Sequence, residues 1–310
     1  MANFTVTENI TIQLNEASKS LIPTEITIFL STLNILLSIT ASLGNALILV
    51  ALNKETSLHP PTKLLFRCLA ITDLCVGVIT QPPYAAILFS SVTGMSRQTI
   101  YYMNKLYKGS GFVLSQVSIY TSTAISVDRL LALLSGLRYR HVVTLPRVRV
   151  ATICFWLIGI SVEAITFWNV SIAITAGCLL SFFSVTISAF CYSTIYVKLR
   201  QHQLQMSPLT QGQPNSRELP LNITRYKSSV SSVKWVQVVL LACYIPLVVV
   251  TMLLTHGVIP ESQTEIAGHV SVTFVYVSSS LNPILYCWKI RSVRQAAKDT
   301  IKQLTCCKSV

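Results

Sequence analysis

The chain has 310 residues, of which 52% are hydrophobic and only 11% are charged, and its net charge is +13. An ordinary soluble domain carries about 25% charged residues. The composition therefore excludes a disordered chain, a collagen and a coiled coil, and it argues against a soluble enzyme. The 24 Lys and Arg residues form short clusters between long apolar runs, which is typical of a membrane protein and not of a nucleic-acid-binding protein. No nucleic acid is expected as a partner.

Seven apolar segments are each long enough to cross a bilayer as a helix, which takes about 20 residues. We call them spans 1 to 7, and they cover 26–52, 64–92, 106–134, 148–170, 172–197, 235–256 and 266–288. Helices are expected because an isolated strand would leave backbone groups unpaired in lipid. The sequence therefore predicts an all-α, seven-transmembrane helix bundle over residues 25–288.

The basic residues predict how the bundle is oriented. Of the 24 Lys and Arg residues, 20 fall on the side reached after spans 1, 3, 5 and 7. The positive-inside rule therefore places the N-terminus outside and the C-terminus in the cytoplasm of a plasma-membrane protein. Residues 1–24 are then an extracellular tail, without a cleaved signal peptide, in which the sequons at Asn3 and Asn9 predict glycosylation.

The last segment, 289–310, combines apolar residues at helical spacing with cations between them. This pattern predicts an amphipathic eighth helix on the cytoplasmic membrane face, in contact with membrane lipids, followed by a short tail. Cys306 and Cys307 follow the amphipathic pattern and are predicted to be palmitoylated, because the basic helix already supplies a first anchoring signal.

Strong polar residues stand in the middle of three spans: Asn45, Asp73 and Asn282. Such groups are costly in a membrane, so they indicate one shared buried cluster that could hold a cation, to which Ser118 adds a hydroxyl. The alternative is three unrelated hydrogen bonds between neighbouring helices.

Motifs in successive spans resemble those of rhodopsin-like (class A) G-protein-coupled receptors over about residues 25–305. They are Gly44-Asn45, Leu69-Ala70-x-x-Asp73, Asp128-Arg129-Leu130, Trp156, Cys243-Tyr244-Ile245-Pro246 and Asn282-Pro283-x-x-Tyr286. The resemblance implies a receptor, not an enzyme, that converts binding of an extracellular ligand into activation of a heterotrimeric G protein. The alternative is a seven-span protein without G-protein signalling, such as a scaffold or a transporter-like protein.

The resemblance also implies residue roles. Asp128 would hold Arg129 at rest and release it to face the G protein. The other switch and coupling residues would be Leu137, Tyr192, Tyr244, Pro246, Asn282, Pro283 and Tyr286. Asp73, Asn45, Ser118 and Asn282 resemble a cluster that binds an allosteric sodium ion, and no other cofactor is expected.

A ligand pocket is expected in the outer half of the bundle, lined by Lys108, Gly111, Phe112, Phe167, Phe274 and Tyr276. Gly111 stands where amine receptors carry an Asp, so the extracellular ligand is not expected to be a monoamine. Lys108 either reaches to water, meets an acidic ligand group, or pairs with Glu163 of span 4.

Three family features are missing: Asn104 replaces a disulfide Cys, the second outer loop is reduced to a few residues around 169–174, and Ser184 replaces a Pro. These absences resemble the melanocortin, lysophospholipid, cannabinoid and adenosine branch, although Leu58-His59-Pro60-Pro61 resembles olfactory receptors. Tyr244 also replaces the usual Trp, and span 6 has no acid near Tyr226 to clamp Arg129. Elevated basal activity is therefore expected.

Overall fold

The computed structural model describes residues 23–56, 58–206, 238–239, 242–253, 261–289 and 291–306. Within these ranges all regular elements are helices, and the predicted all-α bundle is confirmed. Six helices are long and apolar enough to cross a membrane: Thr24–Lys54, Pro60–Ser90, Arg97–Ser135, Leu145–Ile165, Val170–Gln201 and Glu265–Cys287. A shorter apolar helix, Ala242–Leu253, falls in span 6. Asn3, Asn9 and Cys307 lie outside the described residues.

Span 3 is longer than the sequence predicted, because its helix begins at Arg97 and continues to Ser135. Ser96 starts the helix: its hydroxyl accepts a hydrogen bond from the backbone N–H of Thr99 at 3.2 Å. At 1.5 Å per residue the 39 residues rise about 58 Å, so the helix exceeds the bilayer core. Lys108 is consequently a helical residue near the outer end of span 3.

Span 4 is shorter than predicted: its helix covers Leu145–Ile165. The next residues turn back on the helix, where Thr166 N–H donates to the Glu163 carbonyl at 2.9 Å and Trp168 N–H to the Ile165 carbonyl at 2.9 Å. The span 5 helix begins at Val170 and runs to Met206. The second outer loop is therefore a tight turn of a few residues.

Span 2 is interrupted by a π-helical turn, Val76–Thr80, between the α-helices Pro60–Cys75 and Gln81–Thr93. Span 1 packs against this turn and donates hydrogen bonds to it, from the Ser38 hydroxyl to the Gly77 carbonyl at 2.7 Å. The contact needs a glycine, because a Cβ atom on Gly77 would lie 2.6 Å from Ser42 Oγ and 3.0 Å from its backbone nitrogen. Asp73 lies three residues before this turn.

Span 7 is one helix, Glu261–Lys289, with Pro283 inside it. Gly44 of span 1 makes room for that proline, since a Cβ atom there would lie 2.9 Å from Pro283 Cγ. The eighth helix is Arg291–Cys306, and its apolar side packs into the inner core through Val293 and Ala297. The predicted amphipathic helix is therefore present and docks beneath the bundle.

Candidate functional site

The carboxylate of Asp128 is buried at the inner end of span 3 and is held from three sides. Its Oδ2 accepts a hydrogen bond from the Thr62 hydroxyl at 3.0 Å, and its Oδ1 accepts one from the Tyr139 hydroxyl at 2.6 Å. Arg129 Nη2 lies 3.3 Å from Oδ2. Burial, with Asp128 beside it, raises the pKa of Tyr139 to about 12, so this phenol stays protonated and donates.

Arg129 also contacts an aromatic ring that sequence reasoning missed. Its guanidinium carbon lies 5.9 Å from the ring centroid of Phe66 in span 2, within the distance of a cation–π interaction. The other side of Phe66 meets Tyr286 edge-on, at 5.3 Å between centroids and 77° between planes. Phe66 is 3% exposed and stands on the face of span 2 that carries Asp73, so helical spacing was a signal that could have found it.

Tyr286 belongs to the inner apolar cluster, and Tyr192 packs against that cluster. The Ser126 hydroxyl donates to the Tyr192 hydroxyl at 3.2 Å. The Tyr286 hydroxyl is buried and has no hydrogen-bond partner among the described residues, so the two hydroxyls are not bonded to each other.

Asp73, Asn45 and Asn282 come together in the middle of the bundle. Asn282 Nδ2 donates to Asp73 Oδ2 at 2.6 Å, and Asn45 Nδ2 donates to the Ser279 carbonyl at 3.1 Å. Ser279 is in turn a hydrogen-bonding neighbour of Asp73. Asn45 Oδ1 is buried without a partner in the described region. The donor set is one carboxylate plus neutral oxygens, which suits a small hard cation.

Ser118 is buried in span 3, next to Ile119. Ile119 packs with Tyr244 of span 6 in one apolar cluster, and Tyr244 is itself buried there. Tyr244 therefore joins spans 3 and 6 at the position where a Trp is usual.

A second group of polar and aromatic residues occupies the outer half of the bundle around Tyr84, which is 1% exposed. Its hydroxyl donates to the His269 carbonyl at 3.1 Å and lies 3.0 Å from His269 Nδ1. Its ring packs against Tyr107 and Tyr276 at centroid distances of 5.2 and 5.3 Å. Lys108 lies close enough to His269 to interact electrostatically. Sequence reasoning missed both Tyr84 and His269 in this role.

Below this group, two buried amides stand between spans 1, 2 and 7. Asn34 Nδ2 donates to the Thr273 hydroxyl at 3.0 Å, but Asn34 Oδ1 has no partner in the described part of the chain. Gln81 is fully buried, and neither of its amide atoms has a partner there. Buried amides of this kind are usually satisfied by ordered water.

The predicted pocket residues divide into two sets. Gly111 contacts Thr80 of span 2, Phe112 packs against Gly177 of span 5, and Tyr276 is buried beside Tyr84. Phe167 and Phe274 were placed wrongly, because they are 75% and 47% exposed.

The Phe167 side chain lies outside the interior because the residue belongs to the turn after span 4, where Lys105 Nζ lies 5.5 Å from its ring centroid. The Phe274 side chain points away from the interior because its neighbours Thr273 and Val275 occupy the buried face of span 7. Of the three possibilities for Lys108, the pair with Glu163 does not form in the described part of the chain, where Lys108 is exposed and Glu163 lies against Gly109.

A family model described as 7 transmembrane receptor (rhodopsin family) matches residues 44–167 and 160–286. The chain therefore belongs to the rhodopsin family of seven-transmembrane receptors. It is a G-protein-coupled receptor of the plasma membrane, not an enzyme, and it links binding of an extracellular ligand to activation of a G protein. Nothing in the comparisons favours a scaffold or a transporter.

Among similar proteins are adenosine receptor A2b of Gallus gallus, 23% identical over 88% of both chains, and adenosine receptor A3 of Ovis aries, 24% identical over 89% of this chain and 90% of that one. Trace amine-associated receptor 1 of Homo sapiens is 23% identical over 87% of this chain and 86% of its own. Squid rhodopsin has a similar fold, with a TM-score of 0.76 at 19% identity over 92% of this chain and 88% of the other. The adenosine receptors agree with the predicted branch.

Proposed function

We propose that Asp128, Arg129 and Phe66 form the switch through which this receptor controls its G protein. The observation that carries the proposal is the double restraint of Arg129, by the Asp128 carboxylate at 3.3 Å and by the Phe66 ring at 5.9 Å. Both partners belong to spans 2 and 3, so this restraint does not need the acid that is missing from span 6.

In this proposal activation frees Arg129 from both partners. Tyr286 leaves the Phe66 ring and approaches Tyr192, which removes one wall of the site that holds the guanidinium. Pro246 and Pro283 interrupt the hydrogen bonding of spans 6 and 7 and allow these helices to bend. Leu137, in the turn Gly136–Arg138 after span 3, would then contact the G protein beside Arg129.

The test is nucleotide exchange on purified heterotrimeric G proteins by the receptor reconstituted in lipid nanodiscs. Arg129→Ala should reduce exchange at least tenfold at unchanged surface expression, because the group that faces the G protein is removed. Arg149→Ala, an exposed cation of span 4, is the matched control and should keep full activity. Full exchange by Arg129→Ala would contradict the proposal.

The outer end is proposed to bind an extracellular ligand that carries an acidic group. Lys108 of span 3 is exposed and close enough to His269 of span 7 to interact with it electrostatically, and only a short turn follows span 4. A carboxylate or phosphate between them would gain a charge-assisted hydrogen bond from Lys108. Gly111 offers no counter-ion to a ligand amine.

A sodium ion is proposed at the Asp73 cluster. The residues fit, since Asp73 supplies the charge and Asn45 Oδ1 is a buried oxygen without a partner in the described region. The ion would stabilise the resting packing of spans 1, 2 and 7, and Asp73, Asn45 and Asn282 would hold it.

The N-terminus is proposed to be extracellular and the C-terminus cytoplasmic. The basic segments after spans 1, 3, 5 and 7 support this orientation. In mammalian cells, Asn3→Gln with Asn9→Gln should remove a glycosidase-sensitive mass shift, and a C-terminal epitope should be detected only after permeabilisation. An epitope detected on intact cells would reverse the orientation. Cysteine acylation of Cys306 and Cys307 should likewise be lost in the double Ser variant.

A further inference from the structure

A groove opens on the side of the bundle formed by spans 3, 4 and 5, in its cytoplasmic half. Its volume is about 590 Å³, which lies in the range of small-molecule sites. Small residues at its centre, Ala124 and Ala151, leave the space, and the rim includes Phe183 and Ile187, which are 59% and 48% exposed. These rim residues face lipid in a membrane-spanning bundle, so the groove opens toward the bilayer.

The wall of the groove offers almost no polar group to an occupant. Tyr120 lines the groove, but its hydroxyl is buried away from the open space. The Thr123 hydroxyl is already bonded, because it donates to the Ile119 carbonyl at 2.9 Å or the Ser184 carbonyl at 3.1 Å. An occupant of this wall is therefore expected to be apolar.

The cytoplasmic end of the groove carries a positioned cation. Arg147 Nη1 donates to the carbonyls of Val142 at 2.8 Å and His141 at 3.4 Å, which fixes the guanidinium at the groove. A guanidinium has five N–H groups, so others remain for a ligand. Asp128 lines the same end, but its oxygens already accept from Thr62, Tyr139 and Arg129. This end of the groove is therefore complementary to an anion.

We propose that the groove binds a fatty acid from the cytoplasmic leaflet, with the carboxylate on Arg147 and the chain running toward Tyr120. The walls are apolar, the volume suits one chain, and the cation stands at the end nearest the headgroup region. Tyr120 and Asp128 are eight residues apart in a helix, about 12 Å. The groove therefore extends far enough from its cationic end to take the first part of an acyl chain.

This site is separate from the outer ligand mouth, and binding to it can be measured directly, without any signalling readout. The full-length receptor is placed in phosphatidylcholine nanodiscs and exposed to a photoreactive, alkyne-tagged oleic acid, and the labelled peptides are identified. Labelling should fall in spans 3 to 5. Free oleate should reduce it at least fivefold, and methyl oleate, which has no charge, should not.

Two kinds of variant test separately how the charge and the shape of the groove affect binding. Arg147→Gln should reduce labelling about fivefold, Arg147→Lys should retain most of it, and the neighbouring exposed cation variant Arg149→Gln should leave it unchanged. Ala151→Leu should also reduce labelling, because it fills the groove while keeping Arg147. Thermal melting of each variant shows whether it is folded. If Arg147→Gln fails to fold, Ala151→Leu and the competition with methyl oleate still test whether the groove binds the fatty acid.

Equal labelling in all variants would overturn the proposal, as would competition by methyl oleate as effective as that by oleate. Either result would mean that bulk lipid merely contacts this surface. Competition by phosphatidylserine with none by oleate would also overturn it, in favour of a phospholipid.

Discussion

The inner and outer halves of this bundle differ in how their charged groups are held. In the inner half, Asp128 is held by two hydroxyls and one guanidinium, and Arg129 by one carboxylate and one ring. In the outer half, Lys108 is exposed, only a short turn follows span 4, and the amide atoms of Gln81 have no partner in the described region. Both halves contain buried polar atoms without a partner in the described region, such as the Tyr286 hydroxyl in the inner half. They differ in their charged groups: those of the inner half are held by ion pairs and hydrogen bonds, whereas Lys108 in the outer half is exposed to an incoming ligand or water.

The two halves also differ in how closely their sequence follows the family motifs. The family motifs Asp128-Arg129 and Asn282-Pro283-x-x-Tyr286 belong to the inner half, and the missing disulfide and shortened loop belong to the outer half. Coupling to one class of partner constrains the inner end, while ligand chemistry differs between receptors. Altering each half in turn should therefore affect different measurements.

The largest effect is expected where the backbones of spans 1 and 2 touch. Gly77→Ala should reduce surface expression several-fold and lower the melting temperature, because its Cβ would lie 3.0 Å from the Ser42 backbone nitrogen and 3.1 Å from Ala41 Cβ. Overpacking of this kind costs about 1–3 kcal/mol. Gly268→Ala, near the outer end of span 7, has no atom within 4 Å of its Cβ and should fold normally. Equal tolerance at both positions would contradict this packing.

A change at the outer mouth should alter ligand potency without altering basal exchange. Lys108→Gln should weaken an anionic agonist about tenfold, because one charge-assisted hydrogen bond is worth roughly 1.5–3 kcal/mol. Lys105→Gln, whose ammonium contacts the exposed Phe167 ring, is the matched control. Potency is measured as ligand-stimulated nucleotide exchange. Unchanged potency for the Lys108 variant would exclude Lys108 from the ligand site.

The sequence predicted the spans, the motifs and the short outer loop, because apolar length and fixed spacing are local properties. Helical spacing from Asp73 could have placed Phe66 on the inner face of span 2, but its contact with Arg129 depends on how spans 2 and 3 pack. Phe167 and Phe274 failed for the same reason: an aromatic residue near the outer end faces inward or outward according to helix rotation.

Removing the charge of the Asp73 cluster should abolish sodium sensitivity. If sodium stabilises the resting state, replacing sodium chloride by choline chloride should raise basal exchange a few-fold in the native receptor. Asp73→Asn should show no difference between the two salts, since the only carboxylate of the cluster is gone. Glu163→Gln, a half-buried acid of span 4, should keep the difference. Sodium dependence that survives in Asp73→Asn would place the ion elsewhere.

The smallest effect is expected at Tyr139. Tyr139→Phe removes its 2.6 Å hydrogen bond to Asp128, while Thr62 and Arg129 remain, so basal exchange should rise about twofold. Tyr102→Phe, an exposed ring, should have no effect. Because the pKa of Tyr139 is about 12, its hydroxyl remains protonated between pH 6 and 8, and no pH dependence is expected from this contact. A strong pH dependence that disappears in Tyr139→Phe would contradict this view.

The most direct test of the account is basal nucleotide exchange by Phe66→Leu. Leucine retains an apolar side chain but removes the ring, and a cation–π interaction is worth about 0.5–2 kcal/mol. We therefore predict that ligand-free exchange rises about threefold to tenfold, with Arg129 still required, whereas Phe190→Leu on the exposed side of span 5 leaves it unchanged. Basal exchange by Phe66→Leu equal to that of the native receptor would contradict the claim that spans 2 and 3 restrain Arg129 through Phe66.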